Sequence, residues 1–307
     1  ARRAKLAGGP FEGLAEALIP EMARRYSPGR GWSASRFESY GLCPFQFYVR
    51  NVLKLEPRSL PELGLGAAQI GTLLHKILEL TYRRAKNTND LEELLELVQS
   101  TAKEAFKTAP KEIGFRPSNL WQIEQAQWLE KLVENITALA VDSEWQPVEY
   151  EAKFGLDGAP PLQIDLGDET LNMHGVIDRV DRNSTGELRV IDYKTGSTHM
   201  TKKDLQLGYR LQFPIYALAA RDALQLGTPV EGFYWKLLTA EPSSLKLSTY
   251  STGEASGIDA AIETGLRHIS HILKGIRAAE FIPAPPEGGC PSYCPAAAWC
   301  WRFEPGW

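Results

Sequence analysis

The sequence predicts an α/β fold: a mixed central sheet flanked by helices, with a helical insertion and a cysteine-rich closure joining the two ends. Three observations carry that prediction. Residues 175–181 and 190–196 are β-rich and separated by the turn-forming run Asn183-Ser184-Thr185-Gly186, so they read as a hairpin. Helical periodicity brackets the hairpin, over residues 70–84 before it and about 258–280 after it. Three of the four cysteines, Cys290, Cys294 and Cys300, crowd the carboxy-terminal end, far from Cys43.

The elements follow in order. Ser35-Arg36-Phe37-Glu38 fits a capping box and opens a helix through Tyr40 to Phe45-Gln46-Phe47-Tyr48, with Cys43 on or beside it. Residues 53–66 hold Pro57, Pro61 and two glycines and read as a loop. In the helix over 70–84, Leu74, Ile77 and Leu78 form the apolar stripe, and His75, taken alone, is a packed histidine. Asn89-Asp90 caps a helix to about Lys107, and another covers about 118–141, with Glu124, Glu130 and Glu134 on its solvated face. Together they make an insertion over about 88–141. Strands are predicted at 148–154, 162–166, 171–181 and 190–193. A helix over about 204–224 carries Gln206, Gln212, Pro214 and Tyr216, and Pro214 kinks it or marks a start. Gln212 and Tyr216, four apart, share a face that by itself describes an ordinary amphipathic surface. Strands at 232–238 and 244–250 precede the long helix, whose His268 and His271 read as exposed. Residues 283–289 form a stiff Pro/Gly connector into the cysteine segment.

The hairpin carries the chemistry. Alternation puts Val176, Asp178 and Val180 on one face of the first strand, and Val190, Asp192 and Lys194 on one face of the second. Two acids sharing a site repel each other unless a cation sits between them. Aspartate oxygens suit Mg²⁺ or Mn²⁺, and an adjacent lysine suits an anionic substrate. That is the outline of a metal-dependent phosphodiesterase site. The competing account is a pair of solvated surface charges of little energetic worth. Against it, Val-Ile precedes both aspartates, so each strand enters a core and the charges emerge at its edge. Glu149 or Glu151, on the preceding strand, is a candidate accessory acid.

Length and charge set bounds. A chain of 307 residues buries a large core in one elaborated domain or two small ones. A net charge of −4 argues against indiscriminate nucleic-acid binding but leaves room for a local basic groove. No apolar run reaches membrane-spanning length and no signal-peptide pattern precedes the first helix, so the expected location is cytoplasmic, without a membrane partner. A reducing compartment disfavours two disulfides. The four cysteines then read as a Cys₄ site for an iron–sulfur cluster or zinc, or as four unrelated buried thiols. Zinc sites usually show paired C-x₂-C knuckles, and the spacing here favours iron–sulfur. No GxxxxGK[ST] phosphate loop occurs, so the chain carries no recognisable ATP motor. It opens on Ala1 rather than methionine, which suggests a piece of a longer protein.

Assembled, these motifs resemble the RecB-type branch of the PD-(D/E)xK nuclease superfamily. They are most similar to the carboxy-terminal iron–sulfur nuclease domain of AddB-like helicase–nuclease subunits. The elements, in family order, are residues 33–45 ending in Cys43-Pro44-Phe45, Gly71-Thr72-Leu73-Leu74-His75, Gly175-Val176-Ile177-Asp178-Arg179, Ile191-Asp192-Tyr193-Lys194-Thr195-Gly196, Leu211-Gln212-Phe213-Pro214-Ile215-Tyr216 and the three terminal cysteines. The main departure is the Cys290–Cys294 spacing, one residue longer than C-x₂-C. The resemblance implies a restriction-endonuclease-like fold, with a nuclease domain over 33–303 and an extension or linker over 1–32. It implies that Asp178, Asp192 and Lys194 are catalytic, and that His75, Asp178, Asp192 and the Tyr193 carbonyl hold Mg²⁺ or Mn²⁺. Gln212 and Tyr216, as a Q-x₃-Y motif, would contact DNA near the cleaved phosphate. Cys43, Cys290, Cys294 and Cys300 would hold a [4Fe–4S] staple. The implied activity is that of a Mg²⁺-dependent deoxyribonuclease, an exonuclease in preference to an endonuclease, working in recombination and double-strand-break repair beside a helicase partner. Two other readings remain: a catalytically silent DNA-binding or scaffolding module, and a free-standing nuclease of the CRISPR-adaptation type.

Overall fold

A computed structural model describes residues 13–56, 64–196, 201–253 and 255–306. The chain opens with α1 (Ile19–Arg25), the two-residue strand β1 (Gly31–Trp32), α2 (Ala34–Leu42) and α3 (Pro44–Phe47). The helix expected to run unbroken to Tyr48 is interrupted at Cys43, whose extended backbone caps α2 and starts α3. Pro44 explains the break, because a residue before proline is driven out of the helical region. A π-helical turn, Tyr48–Val52, follows. Of the loop expected over 53–66, residues 57–63, with Pro57 and Pro61, lie outside the described residues. Residues 13–32, read from the sequence as an extension or linker, are packed: Met22, Tyr26 and Trp32 are buried in the main core. Residues 1–12 lie outside the described region.

Three long helices come next: α4 (Ala67–Arg84), α5 (Leu91–Ala109) and α6 (Trp121–Ala140). Asp90 caps α5 as expected, its carboxylate accepting the Glu93 N–H at 3.1 Å. The strands are β2 (Gln146–Phe154), β3 (Leu162–Asp165), β4 (Thr170–Met173), β5 (Gly175–Arg182) and β6 (Glu187–Lys194). Then follow α7 (Lys202–Gln206), α8 (Gln212–Leu218), β7 (Thr228–Lys236), β8 (Glu241–Pro242) and α9 (Gly257–Arg277).

The central sheet has the order β2-β5-β6-β7-β8, antiparallel except for the β6–β7 pair. That pair is parallel because α7 and α8 carry the chain across the sheet, the connection two parallel strands require. A smaller sheet, β1-β4-β3, stands apart. The single strand expected over 171–181 is thus two strands in two sheets. His174 divides them, its N–H donating to the Trp32 carbonyl at 2.7 Å. Strand-forming residues lie on both sides of the change of sheet, so local pattern did not reveal it.

Two more expectations change. The helix over 204–224 breaks into α7 and α8, because Gly208 adopts φ +76° and ends the first piece. The strand over 244–250 is absent: β8 ends at Pro242, Ser243 Oγ takes the Tyr234 N–H at 3.2 Å, and Leu247–Thr249 forms a 3₁₀ turn.

Cores lie on both faces of the sheet. Leu188, Val190 and Tyr234 pack with α2, α8 and α9, while Ile191, Tyr193, Phe233 and Trp235 pack with α4, α5 and α6. The insertion is therefore one of the layers. Asn135 of α6 ties it to the sheet, accepting from Trp235 Nε1 at 2.7 Å and donating to the Leu237 carbonyl at 2.8 Å. On the opposite face α9 approaches α2 so closely that a Cβ at Gly275 would sit 2.2 Å from the Tyr40 hydroxyl. Burying one Phe or Leu side chain stabilises by about 1.5–3 kcal/mol, so each layer contributes heavily.

Candidate active site

The β5–β6 ladder stops at the Arg179–Ile191 pair. Beyond it the strands part, and the hairpin's polar residues occupy the gap. Asp178 Oδ2 accepts the Tyr193 N–H at 2.7 Å, replacing the strand carbonyl that a continued ladder would offer. His75 reaches the gap from α4. Its Nε2 lies 3.0 Å from the Tyr193 carbonyl, which only accepts, so Nε2 is the protonated nitrogen. Nδ1 then faces Asp178 Oδ2 at 3.5 Å and Glu151 Oε1 at 3.7 Å.

His75, Glu151 and Asp178 are the one group of three or more such side chains, among the described residues, whose ligand atoms lie within 4.8 Å of one another. Glu151 stands in the middle of β2 with φ +47°, a left-handed backbone that costs a non-glycine residue of order 1–3 kcal/mol. Of the two candidate accessory acids, Glu151 joins the cluster and Glu149 does not. Only the packing of β2 against α4 separates them.

Asp192 sits beside this group on the α8 face of β6. It is 2 % exposed. Gln212 Nε2 donates to its Oδ1 at 2.6 Å and also reaches the Tyr216 hydroxyl at 3.0 Å. Tyr234 donates to Gln212 Oε1 at 3.2 Å. Asp192 Oδ2 is buried, its partner the Lys194 ammonium 2.5 Å away. Tyr216 is itself buried, beneath Gln212. The Tyr193 carbonyl, expected as an open ligand, is engaged by His75.

Burial and mutual repulsion shape the charges. Burial, with Asp192 adding to it and His75 opposing, pushes the Asp178 carboxyl up to about 8. Burial works against charge on His75, but Glu151, Asp178 and Asp192 outweigh it and raise its pKa. Burial likewise opposes the Lys194 ammonium, and Asp192, Asp178 and Glu38 hold it above its ordinary value. Asp178, Glu151, the His75 imidazole and the Asp192 carboxylate beside Lys194 form a donor set of hard oxygens and imidazole. That set fits a divalent cation.

Two features escaped the sequence reading. Glu38, assigned there to a capping box, accepts instead from the N–H groups of Leu211 and Gln212 at 2.6 and 2.9 Å, so it caps α8 and seats Gln212. Behind the hairpin, Asp181 is fully buried between Arg179 (2.5 Å) and Arg189 (2.7 Å). Arg189 also pairs with Asp142, and Arg179 lies over the Tyr82 ring. The Arg179-x-Asp181 spacing on a strand was the available signal.

Cys43, Cys290, Cys294 and Cys300 are all free thiols. The structure gathers them: Cys43 and Cys294 share a small core with Phe45 and Val49, against which Cys300 packs. Burial is the main cause raising the Cys294 and Cys300 thiols, and the other cysteines add to it. Phe45 lies 5.5 Å from Trp299 and 5.2 Å from Trp301, fastening the early helices to the carboxy-terminal segment. His268, expected in solvent, is only partly exposed and bonds the Gln206 carbonyl through Nε2 at 2.8 Å, while His271 is exposed.

The profile of the PD-(D/E)XK nuclease superfamily matches residues 31–301. The chain belongs to that superfamily. Within PD-(D/E)XK nucleases it is similar to the B subunit of the ATP-dependent helicase/deoxyribonuclease of Moorella thermoacetica, 30% identical over 237 residues, which cover 71% of this chain and 20% of that protein. The protein of the same name in Acetivibrio thermocellus is 30% identical over 229 residues, 67% of this chain and 19% of its own. That of Carboxydothermus hydrogenoformans is 26% identical over 274 residues, 80% and 25%. This PD-(D/E)XK chain thus spans about a fifth to a quarter of the length of these relatives. No helix among its described residues is long and apolar enough to cross a membrane.

Proposed function

We propose that residues 33–303 form a Mg²⁺- or Mn²⁺-dependent DNA nuclease domain, an exonuclease of a recombination and repair helicase–nuclease. The observation that carries the reading is the convergence of His75, Glu151 and Asp178 at the splayed end of the hairpin, beside Asp192 and Lys194. His75 Nδ1, Glu151, Asp178 and Asp192 Oδ2 would hold the metal. When bound, the metal would neutralise charge on the phosphate oxygens and lower the pKa of a bound water.

The chain's own residues do the rest. Lys194 stays charged and offers its ammonium to the phosphoryl oxygens or to the attacking water. Gln212 fixes the Asp192 carboxylate, and Tyr216 acts through Gln212 as its support beside the strand. In the reaction a water oxygen bonds to phosphorus, the P–O3′ bond breaks, and the 3′ oxygen leaves with a proton. The products are 5′-phosphate and 3′-hydroxyl ends.

Cys43, Cys290, Cys294 and Cys300 are assigned to a [4Fe–4S] cluster. The supporting observation is that Cys43, Cys294 and Cys300 meet in one small core, with Cys290 close enough to act on the Cys294 and Cys300 thiols. The longer relatives carry helicase in their names, so strand separation is assigned to a helicase partner or a further part of the same protein.

The test is cleavage of end-labelled single- and double-stranded DNA with Mg²⁺ and with EDTA, beside Asp192→Ala. Metal-dependent cutting absent from the variant is the expected result. A folded, cluster-loaded wild type that never cuts, even with its helicase partner, would make the chain a binding module.

A further inference from the structure

A cavity of about 690 Å³ lies between α2, the π-helical turn, the α7–α8 connection and the cysteine segment. Its walls include three carboxylates, Glu38, Asp204 and Glu287, and two guanidiniums, Arg50 and Arg210. The carboxylates are occupied. Glu38 accepts two amides of α8, Asp204 accepts the Thr201 N–H and hydroxyl at 2.8 and 2.6 Å, and Glu287 pairs with Lys203.

The guanidiniums are not. Arg50 is exposed and, among the described residues, makes no side-chain hydrogen bond or ion pair, while Arg210 has only Glu38 at 4.0 Å, beyond hydrogen-bond range. Unused donors therefore face a cavity whose acids are already satisfied, and an anion with several oxygens suits them.

The other walls add faces for stacking. Tyr209 and Tyr293 line the same cavity, and Tyr293 is half exposed. Aromatic rings interleaved with arginines are how unpaired nucleotides are bound: bases stack and phosphates pair. The volume falls in the range of small-ligand sites, about 300–1,000 Å³. Position completes the case. Glu38 lines the cavity and holds the N–H of Gln212, whose side chain holds Asp192, so the inner wall is the back of the acidic cluster.

We propose that this cavity binds unpaired nucleotides of the DNA strand next to the one being cut, with Arg50 and Arg210 on their phosphates and Tyr209 and Tyr293 against their bases. The proposal rests on the nuclease reading, and it makes the strand single where it enters the site.

The experiment measures binding of a fluorescein-labelled twelve-residue oligothymidylate, and of a blunt hairpin duplex, to the 307-residue chain in EDTA across a salt series. Arg50→Ala is expected to weaken single-strand binding about tenfold and to reduce the salt slope by about 0.7 for each phosphate it no longer neutralises, and Arg50→Lys to keep the slope. Tyr293→Ala is expected to weaken it about tenfold with the slope unchanged, and Tyr293→Phe to match wild type. Duplex affinity is expected to be unmoved by all four. Wild-type affinity and slope in Arg50→Ala, or no oligothymidylate binding by wild type, overturns the subsite. Cleavage assayed in parallel with Mg²⁺ separates the two ideas. Binding that responds to the variants without any cleavage, even with the helicase partner added, removes the nuclease reading and keeps the subsite; cleavage with indifferent variants does the reverse.

Discussion

Tyr193 is held to Asp178 and His75 through its backbone: its N–H donates to the Asp178 carboxylate at 2.7 Å and its carbonyl meets His75 Nε2 at 3.0 Å, while its ring meets the imidazole edge-on at 5.7 Å. One peptide segment of β6 thereby fixes a strand acid and a helix imidazole at a point where the ladder has ended. The Tyr193 ring is buried in the core formed with α4, α5 and α6, so the backbone cannot shift without unpacking that layer.

The hairpin chemistry predicts a clean loss of function. Asp192→Asn keeps the shape that Gln212 holds but removes the charge facing Lys194, and Lys194→Ala removes the ammonium. Each is expected to lower DNA cleavage by about 100-fold or more, with circular dichroism and solubility unchanged. A Lys194→Ala protein cutting at the wild-type rate ends the assignment.

The Asp178 carboxyl predicts how stability follows pH. Its native pKa is raised to about 8 from 3.8, so the metal-free native state keeps a proton that the unfolded chain releases. Protons bound then favour the native state, and this group's contribution falls as pH rises from about 4 to 8 and is gone above it. Metal competes for the same carboxylate, so Mg²⁺ should raise the melting temperature more at pH 8.5 than at pH 6. Calorimetry in EDTA and in Mg²⁺ checks this; equal Mg²⁺ shifts at the two pH values would falsify it.

The thiol cluster predicts a stability effect separable from catalysis. Cys290→Ser is expected to lose iron and brown colour and to melt earlier, activity declining only with the folded fraction, because metal binding contributes folding energy. Iron and zinc analysis with visible absorption reads the outcome. A colourless, fully stable, zinc-loaded wild type defeats the iron–sulfur assignment.

The buried network behind the hairpin predicts a larger cost. Asp181→Ala leaves Arg179 and Arg189 charged and unpaired in the interior, a change that costs about 3–5 kcal/mol. Urea unfolding measures it. A loss under 1 kcal/mol would mean that water reaches both guanidiniums.

Much of this was legible because it is local. The helix at 70–84 and the two of the insertion follow from 3.6-residue periodicity and the Asp90 cap, and the hairpin from its alternation and turn. The order of motifs along the chain was enough to indicate the superfamily. Local rules failed where an element borrows something from elsewhere. Glu38 satisfied the capping-box pattern yet caps α8, 173 residues on from it at Leu211. Residues 171–181 read as one strand and still serve two sheets.

By itself the sequence named the side chains proposed to do chemistry here, the two hairpin aspartates, Lys194 and four thiols, with His75 added by the family resemblance, since side-chain type and spacing are written in it. Only the tertiary structure decided that Glu151 rather than Glu149 joins them, that Gln212 rather than solvent holds Asp192, and that the insertion forms one face of the core. The reason is physical. Those choices depend on burial and on partners distant in the chain, where desolvation and close packing outweigh any local preference.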